Sequence, residues 1–313
     1  MQRCLVTGAS GFVGHALCED LARRGRRVVA VYRLVPEGGV PQDAVVVGEI
    51  DENTFWADAL KGVDVVFHTA ARVHVMGRMA GQMYAEFRRV NVAGTERLAR
   101  AAAAAGVRRL VYLSSIKVNG EATTPPHRFL ETDQPNPQDD YAASKYEAEQ
   151  TLYRVAQETG LEVVIIRPPL IYGPGVKGNL RTLLALVNKS IPLPLGSVSN
   201  RRDFISIGNL LDAMVLCGMH PNAANQTYLV SDGQPLSTPA LIRYITKALG
   251  RGGVVFRFPV ALLTLMAALL GRSGTADRLL GSLEVDASKM RRDLDWVPPL
   301  NVEEGFRRMV AKD

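Results

Sequence analysis

A chain of 313 residues, 47% hydrophobic and 22% charged, can bury a full core as one large domain with a smaller lobe, which excludes a disordered or fibrous protein. Its net charge of +6 suits an anionic ligand, but the arginines are spread along helices in pairs rather than interleaved with aromatics, so no nucleic-acid partner is expected. Three cysteines without pairable spacing (Cys4, Cys18, Cys217) and five scattered histidines predict neither a disulfide framework nor a metal site, and point to a reducing compartment.

The chain enters its first strand within three residues and has no apolar run of spanning length, so the expectation is a soluble, cytoplasmic protein without a signal peptide or stable membrane insertion. The run Cys4-Leu5-Val6 stops at Thr7 and turns through Gly8, Gly11 and Gly14 into an amphipathic stretch over residues 15–24. Strand, tight turn and helix together predict a dinucleotide site. A diphosphate must lie against bare backbone amides at the positive end of the helix, and a Cβ would hold it off.

Beyond that turn, β-branched runs predict strands at residues 27–33, 44–50, 63–70, 109–115 and 162–167, with helices at 53–60, 82–105 and 140–159 between them. Such alternation predicts an α/β fold, a doubly wound parallel (Rossmann) sheet covered on both faces. From Pro168 onward prolines and glycines loosen the pattern, as suits a binding lobe built from loops. Residues 204–207 and 227–230 read as strands returning to the sheet, with a helix at 209–219 between them. A smaller, mostly helical C-terminal substrate lobe is assigned to residues 168–203 and 232–313, and the dinucleotide-binding domain to 1–167 with 204–231. The longest apolar run, residues 258–270, reads as a buried or groove-covering helix, with peripheral membrane contact as the lesser alternative.

Tyr141-Ala-Ala-Ser-Lys145 places a phenol and an ammonium on one face of a helix near its N-terminal end. A free tyrosine titrates near pH ~10, so the expectation is that Lys145 and the helix end stabilise the phenolate. Ser114 and Ser115 close the fifth strand at the carboxyl edge of the sheet, where ligands of such folds bind, so a hydroxyl and the phenol can meet over one substrate oxygen.

These motifs, with His68-Thr-Ala-Ala71, Asn91-Val-Ala-Gly-Thr95, residues 167–175 (R-P-P-L-I-Y-G-P-G), Arg202-Asp-Phe-Ile205 and Asp286-Ala-Ser-Lys289, resemble the extended short-chain dehydrogenase/reductase family and its nucleotide-sugar branch. The resemblance implies that Gly8, Gly11, Phe12, Val13 and Gly14 take the cofactor diphosphate and Glu49 and Ile50 the adenine. Thr69, Ala70, Ala71, Asn91 and Pro168 would complete the dinucleotide site, and Lys145 would also hold the nicotinamide ribose. It implies Ser115, Tyr141 and Lys145 as catalytic residues, Ser114 being the lesser rival of Ser115. Asn179, Leu180, Leu195, Arg202 and, more loosely, Arg278 would hold the nucleotide end of the substrate, and Lys117 could face the sugar. His74 reads as scaffold. Family members often dimerise through the helices at 82–105 and 140–159, implying a homodimer.

An acid usually closes the second strand of an NAD site; here Tyr32 stands there with Arg33 next, and with no repelling carboxylate foreseen the expectation is NADP(H) over NAD(H). Ile116 and Lys117 stand where the family's dehydratases carry an acidic pair. The leading expectation is therefore an NADPH-dependent reductase acting on the C4 ketone of a UDP-sugar, of the UDP-4-keto-6-deoxy-N-acetylhexosamine to UDP-N-acetylquinovosamine or N-acetylfucosamine type, for surface polysaccharide. The alternative is a UDP-hexose or UDP-N-acetylhexosamine 4-epimerase with tightly bound NAD. A non-catalytic dinucleotide-sensing protein is a third reading, opposed by the retained Tyr/Lys pair.

Overall fold

The computed structural model describes residues 2–37, 39–73, 80–252, 255–269 and 279–311. Seven parallel strands form one sheet in the order β3-β2-β1-β4-β5-β6-β9: β1 Arg3–Thr7, β2 Arg27–Tyr32, β3 Ala44–Val46, β4 Val65–His68, β5 Arg109–Leu113, β6 Glu162–Arg167 and β9 Thr227–Leu229. The order reverses between β1 and β4, the crevice where doubly wound sheets take their ligands. Both faces are covered. Helices α1 (Phe12–Arg23) and α7 (Ile207–Met219) pack one side through Leu17, Leu21, Leu210 and Met214, while α2 (Ala57–Leu60), α4 (Gly94–Ala104) and α5 (Asp140–Thr159) pack the other through Leu60, Leu98, Ala148 and Leu152.

The expected helix over 82–105 is three pieces: α3 (Ala80–Phe87), a π-helical turn (Arg88–Ala93) and α4. The wider turn brings Asn91 inward, to Arg72 and Ser144, and sets Gly94 against Ile50, where a Cβ would lie 2.9 Å from the Ile50 carbonyl oxygen. The strand expected to return to the main sheet near residue 204 does not. Instead β8 (Phe204–Ser206) pairs with β7 (Leu170–Tyr172) in a separate two-stranded sheet, and only β9 joins the large one. Asp232 explains the detachment: it accepts hydrogen bonds from the Ser206 amide, Asn209 and the Tyr172 hydroxyl, binding this small sheet to α7.

The lobe has its own core, formed by α6 (Gly178–Asn188), α8 (Thr238–Leu249) and α11 (Val302–Val310). Phe306 stacks on Tyr172 with ring centres 4.3 Å apart. The apolar run forms α9 (Val260–Leu269) but is not buried: Val260 and Leu263 touch the lobe core while Leu262, Leu265, Met266 and Leu269 face solvent. A helix without a polar face has no preferred side to bury, so packing takes only what the neighbouring core reaches. Leu270 lies outside the described residues. The remaining helix, α10, covers Ser288–Leu294.

Candidate active site

The glycine turn packs directly against the end of β4. Gly8 has a positive φ of 73°, and a Cβ there would stand 2.9 Å from the Ala70 nitrogen; one on Gly14 would stand 2.2 Å from the Gly8 carbonyl oxygen. Gly11 caps α1 without any side chain, so the first turn of the helix meets the crevice as bare backbone. Such a cradle fits a dinucleotide diphosphate. The side chain of Val13 is buried in the core and that of Phe12 packs against it, leaving their amides as the groups that can reach a ligand. Thr69 and Ala70 are held beside the turn by Thr7, whose carbonyl accepts from the Thr69 hydroxyl at 2.6 Å and whose hydroxyl accepts from the Ala70 amide at 3.2 Å.

Under this edge His68 is clamped between the hydroxyls of Thr7 (2.7 Å) and Thr95 (2.9 Å). Burial, aided by the Lys145 charge, pushes its pKa down to about 3, so the folded protein holds it neutral. The unfolded chain binds a proton near its ordinary value of 6.5 and the folded one does not until about 3, so this residue removes stability as pH falls through that window. Asp203, raised to about 6 by burial, works in the opposite sense. The difference between wild type and His68→Gln isolates the imidazole: urea unfolding at pH 6.5 and 5.0 should show wild type losing about 2 kcal/mol more than the variant. Equal losses would mean the ring is charged in the folded state.

Asn91, expected at the cofactor, has its amide committed elsewhere. Its oxygen accepts from the Arg72 nitrogen at 2.8 Å, and its nitrogen donates to the Arg72 carbonyl and to Ser144. It ties the segment after β4 to α5. Ile50 is buried against Gly94, and the exposed Glu49 carboxylate meets the Arg33 guanidinium at 3.3 Å. A carboxylate thus does stand beside Arg33, contrary to the premise of the NADP expectation; Tyr32 is half-buried.

Asp139 caps α5, accepting from the Ala142 amide at 2.7 Å, and Gly160 ends the helix in the left-handed conformation. This fixes Tyr141 and Lys145 in its first two turns, over the carboxyl end of β5. Lys145 is buried, donates to the Leu113 carbonyl at 2.6 Å and lies 4.0 Å over the Tyr112 ring. Burial pushes its pKa down to about 7, with Glu149 opposing. Tyr141 is pushed up to about 12, by burial and then by the Asp139 charge, not lowered as expected. Burial withdraws the phenol from water and the Asp139 carboxylate adds a repelling charge, while the Lys145 ammonium is directed at the Leu113 carbonyl and the Tyr112 ring.

Ser115 opens a 3-10 turn (Ile116–Val118), and its hydroxyl accepts from the Lys117 amide at 3.3 Å. Ser114 is no rival. It is buried and donates to Glu149 at 2.5 Å, within a network in which Arg167 grips Glu149 with two nitrogens and Asn119 with a third. The Pro168 carbonyl accepts from the Ile116 amide at 3.0 Å, fastening the serine turn to the end of β6. None of these partners was visible in the sequence, since they stand 18 to 52 residues apart along the chain.

Of the residues expected at the substrate, Asn179 is exposed in the first turn of α6, whereas Leu180 and Leu195 bury their side chains in the lobe core. Arg202 donates to the Gly281 carbonyl at 3.0 Å and pairs by its backbone with Leu236 and Leu283. The Lys117 ammonium sits between Glu121 and Asp139. Arg278 and His74 lie outside the described residues.

A glycine cradle at the switch point of a parallel sheet, with Ser115 just beyond β5 and Tyr141 and Lys145 at the start of α5, is the arrangement of the extended short-chain dehydrogenase/reductase class. Residues 4–231 match the model of the NAD dependent epimerase/dehydratase family, and the chain belongs to that family. It is 43% identical to a UDP-glucose 4-epimerase of Vibrio cholerae over 97% of this chain and 93% of that protein. A UDP-N-acetylglucosamine 4-epimerase of Bacillus cereus superposes with a TM-score of 0.80 at 20% identity, over 99% of this chain and 98% of that one. MoeE5, solved in complex with UDP-glucose and NAD, gives 0.76 at 25% identity, over 99% and 97%. No helix among the described residues is long and apolar enough to cross a membrane.

Proposed function

We propose that the protein is a UDP-hexose 4-epimerase that keeps NAD(H) bound through its catalytic cycle. The observation that carries this reading is the cluster of Ser115, Tyr141 and Lys145 at the carboxyl edge, in a chain 43% identical to a UDP-glucose 4-epimerase along nearly its whole length. Bound nicotinamide would supply the hydride acceptor and donor. Ser115 holds the C4 oxygen, Tyr141 takes the hydroxyl proton and later returns it, and Lys145 orients the ribose. Because hydride and proton both come back to the sugar, inversion at C4 consumes no cofactor.

The cofactor follows from Arg33 and Glu49. Their charges cancel at the end of β2, so a 2′-phosphate gains no net attraction there, while uncharged ribose hydroxyls lose nothing. Asn179 and Arg202, with the backbone around Leu180 and Leu195, serve the UDP end, and residues 168–203 and 232–313 form the substrate lobe. Purified protein should carry NAD and interconvert UDP-glucose and UDP-galactose, or their N-acetyl forms, without added cofactor. Consumption of NADPH with UDP-4-keto-6-deoxy-N-acetylglucosamine, and no epimerisation, would instead identify the 4-ketoreductase.

A further inference from the structure

Lys117 occupies a place that neither a solvated lysine nor a sugar contact explains. Its amide donates to the Ser115 hydroxyl at 3.3 Å, while its ammonium stands 2.6 Å from Glu121 and 2.5 Å from Asp139. The other Asp139 oxygen accepts from the Ala142 amide and so caps α5, with Tyr141 in the first turn of that helix. One residue thus touches the serine through its backbone and the tyrosine's helix through its side chain. A second tie lies beside it, where the Asn136 amide donates to the Val118 carbonyl at 2.9 Å, but this backbone bond carries no charge to the cap.

Its charge matters as much as its reach. The titratable and charged groups near the phenol are Asp139, Asp140 and Lys145 on its own helix and cap, the buried Tyr112 of β5, and Lys117 with Glu121 from the serine turn; from the helix packed alongside, Phe87 meets Tyr141 edge-on, and Arg88 beyond it is paired with Glu147. Lys145 is directed at the Leu113 carbonyl, whereas the Lys117 ammonium is paired with Asp139. Removing Lys117 would take one positive charge from a carboxylate two residues from the phenol, and so oppose the phenolate that proton abstraction requires.

We propose that Lys117 is a positioning residue: clamped between Glu121 and Asp139, its ammonium fixes the cap of the tyrosine-bearing helix against the serine turn and balances the carboxylate beside the phenol. The inference rests on Tyr141 as the proton carrier of the proposed reaction. The test compares Lys117→Met, Lys117→Arg, Asp139→Asn and the Lys117→Met/Asp139→Asn double variant in the full-length protein. Lys117→Met should lower kcat about 10- to 100-fold, as expected for a misplaced catalytic pair, with KM for the UDP-sugar changed less than about twofold. Its kcat–pH profile should move to higher pH, and that of Asp139→Asn to lower pH. The double variant should follow Asp139→Asn, because the charge to be balanced is gone. Lys117→Arg should restore kcat to within about threefold of wild type, since a guanidinium can serve both carboxylates.

Hydrogen exchange of the peptide spanning residues 139–145 gives a readout that needs no substrate: exchange should quicken in Lys117→Met and recover in Lys117→Arg. If exchange behaves so while wild type turns over no UDP-sugar, the positioning role stands and the functional reading fails. A raised KM with an unmoved pH profile would overturn the proposal in favour of a sugar contact, and a lowered melting temperature with unchanged kcat would reduce Lys117 to scaffold.

Discussion

Tyr141→Phe should lower turnover by about three orders of magnitude while leaving NAD bound, because the substitution removes one proton-carrying oxygen and nothing of the cradle. The phenol lies half-buried at the start of a helix whose cap, packing and C-terminal stop are independent of its hydroxyl. The ring also keeps its edge-on contact with Phe87, 6.2 Å between centres. Folding and cofactor affinity should therefore match wild type, measured by thermal melting and by NAD content after purification. Residual turnover within tenfold of wild type would take Tyr141 out of the proton path and leave Ser115 as the group to examine.

The second large effect is on stability. Glu149 is fully buried and Arg167 is 4% exposed; they share two hydrogen bonds, and Ser114 and Asn119 complete the set. Arg167→Met should cost about 3–5 kcal/mol, because it strands a carboxylate in the core beneath the serine turn. That is a large part of the 5–15 kcal/mol typical of a domain. Replacing both residues by methionine should recover most of the loss, since two charges then no longer need to be taken out of water. Urea unfolding of the single and double variants checks this. A double variant as unstable as the single one would mean that the network's other hydrogen bonds, rather than the stranded charge, set the cost.

Several elements were readable from local signals alone. Helix α5 and strand β6 run over the residues the sequence predicts, since Asp139 caps the helix, Gly160 ends it and an unbroken Val/Ile run follows. The glycine turn and the Ser115, Tyr141 and Lys145 set were likewise readable, being carried by short motifs. What escaped prediction depends on partners distant along the chain. The π-helical turn at Arg88–Ala93 looks like ordinary helix in its periodicity, and its register is set by Asn91 reaching Arg72 and Ser144. Strand β8 has the composition of any sheet strand, and Asp232 decides which sheet it joins. The titration of Tyr141 departs from expectation for the same reason: burial by elements distant along the chain raises it first and the cap carboxylate adds to that, and neither is written in the four-residue motif that pairs it with Lys145.

The small β7–β8 sheet has a consequence for how specificity can evolve. Its strands are hydrogen-bonded to each other and not to the seven-stranded sheet, so the segment between them, residues 173–203, can lengthen, shorten or be exchanged without shifting the register of any cofactor-bearing strand. Two constraints limit such an exchange: Leu183, Val187, Leu193 and Leu195 must still meet Leu241, Ile242 and Phe306, and residues 200–203 must keep their hydrogen bonds to the 279–285 segment. Within those limits the fold is modular, with a seven-stranded half whose register is fixed and a segment beside it that can be exchanged as a cassette.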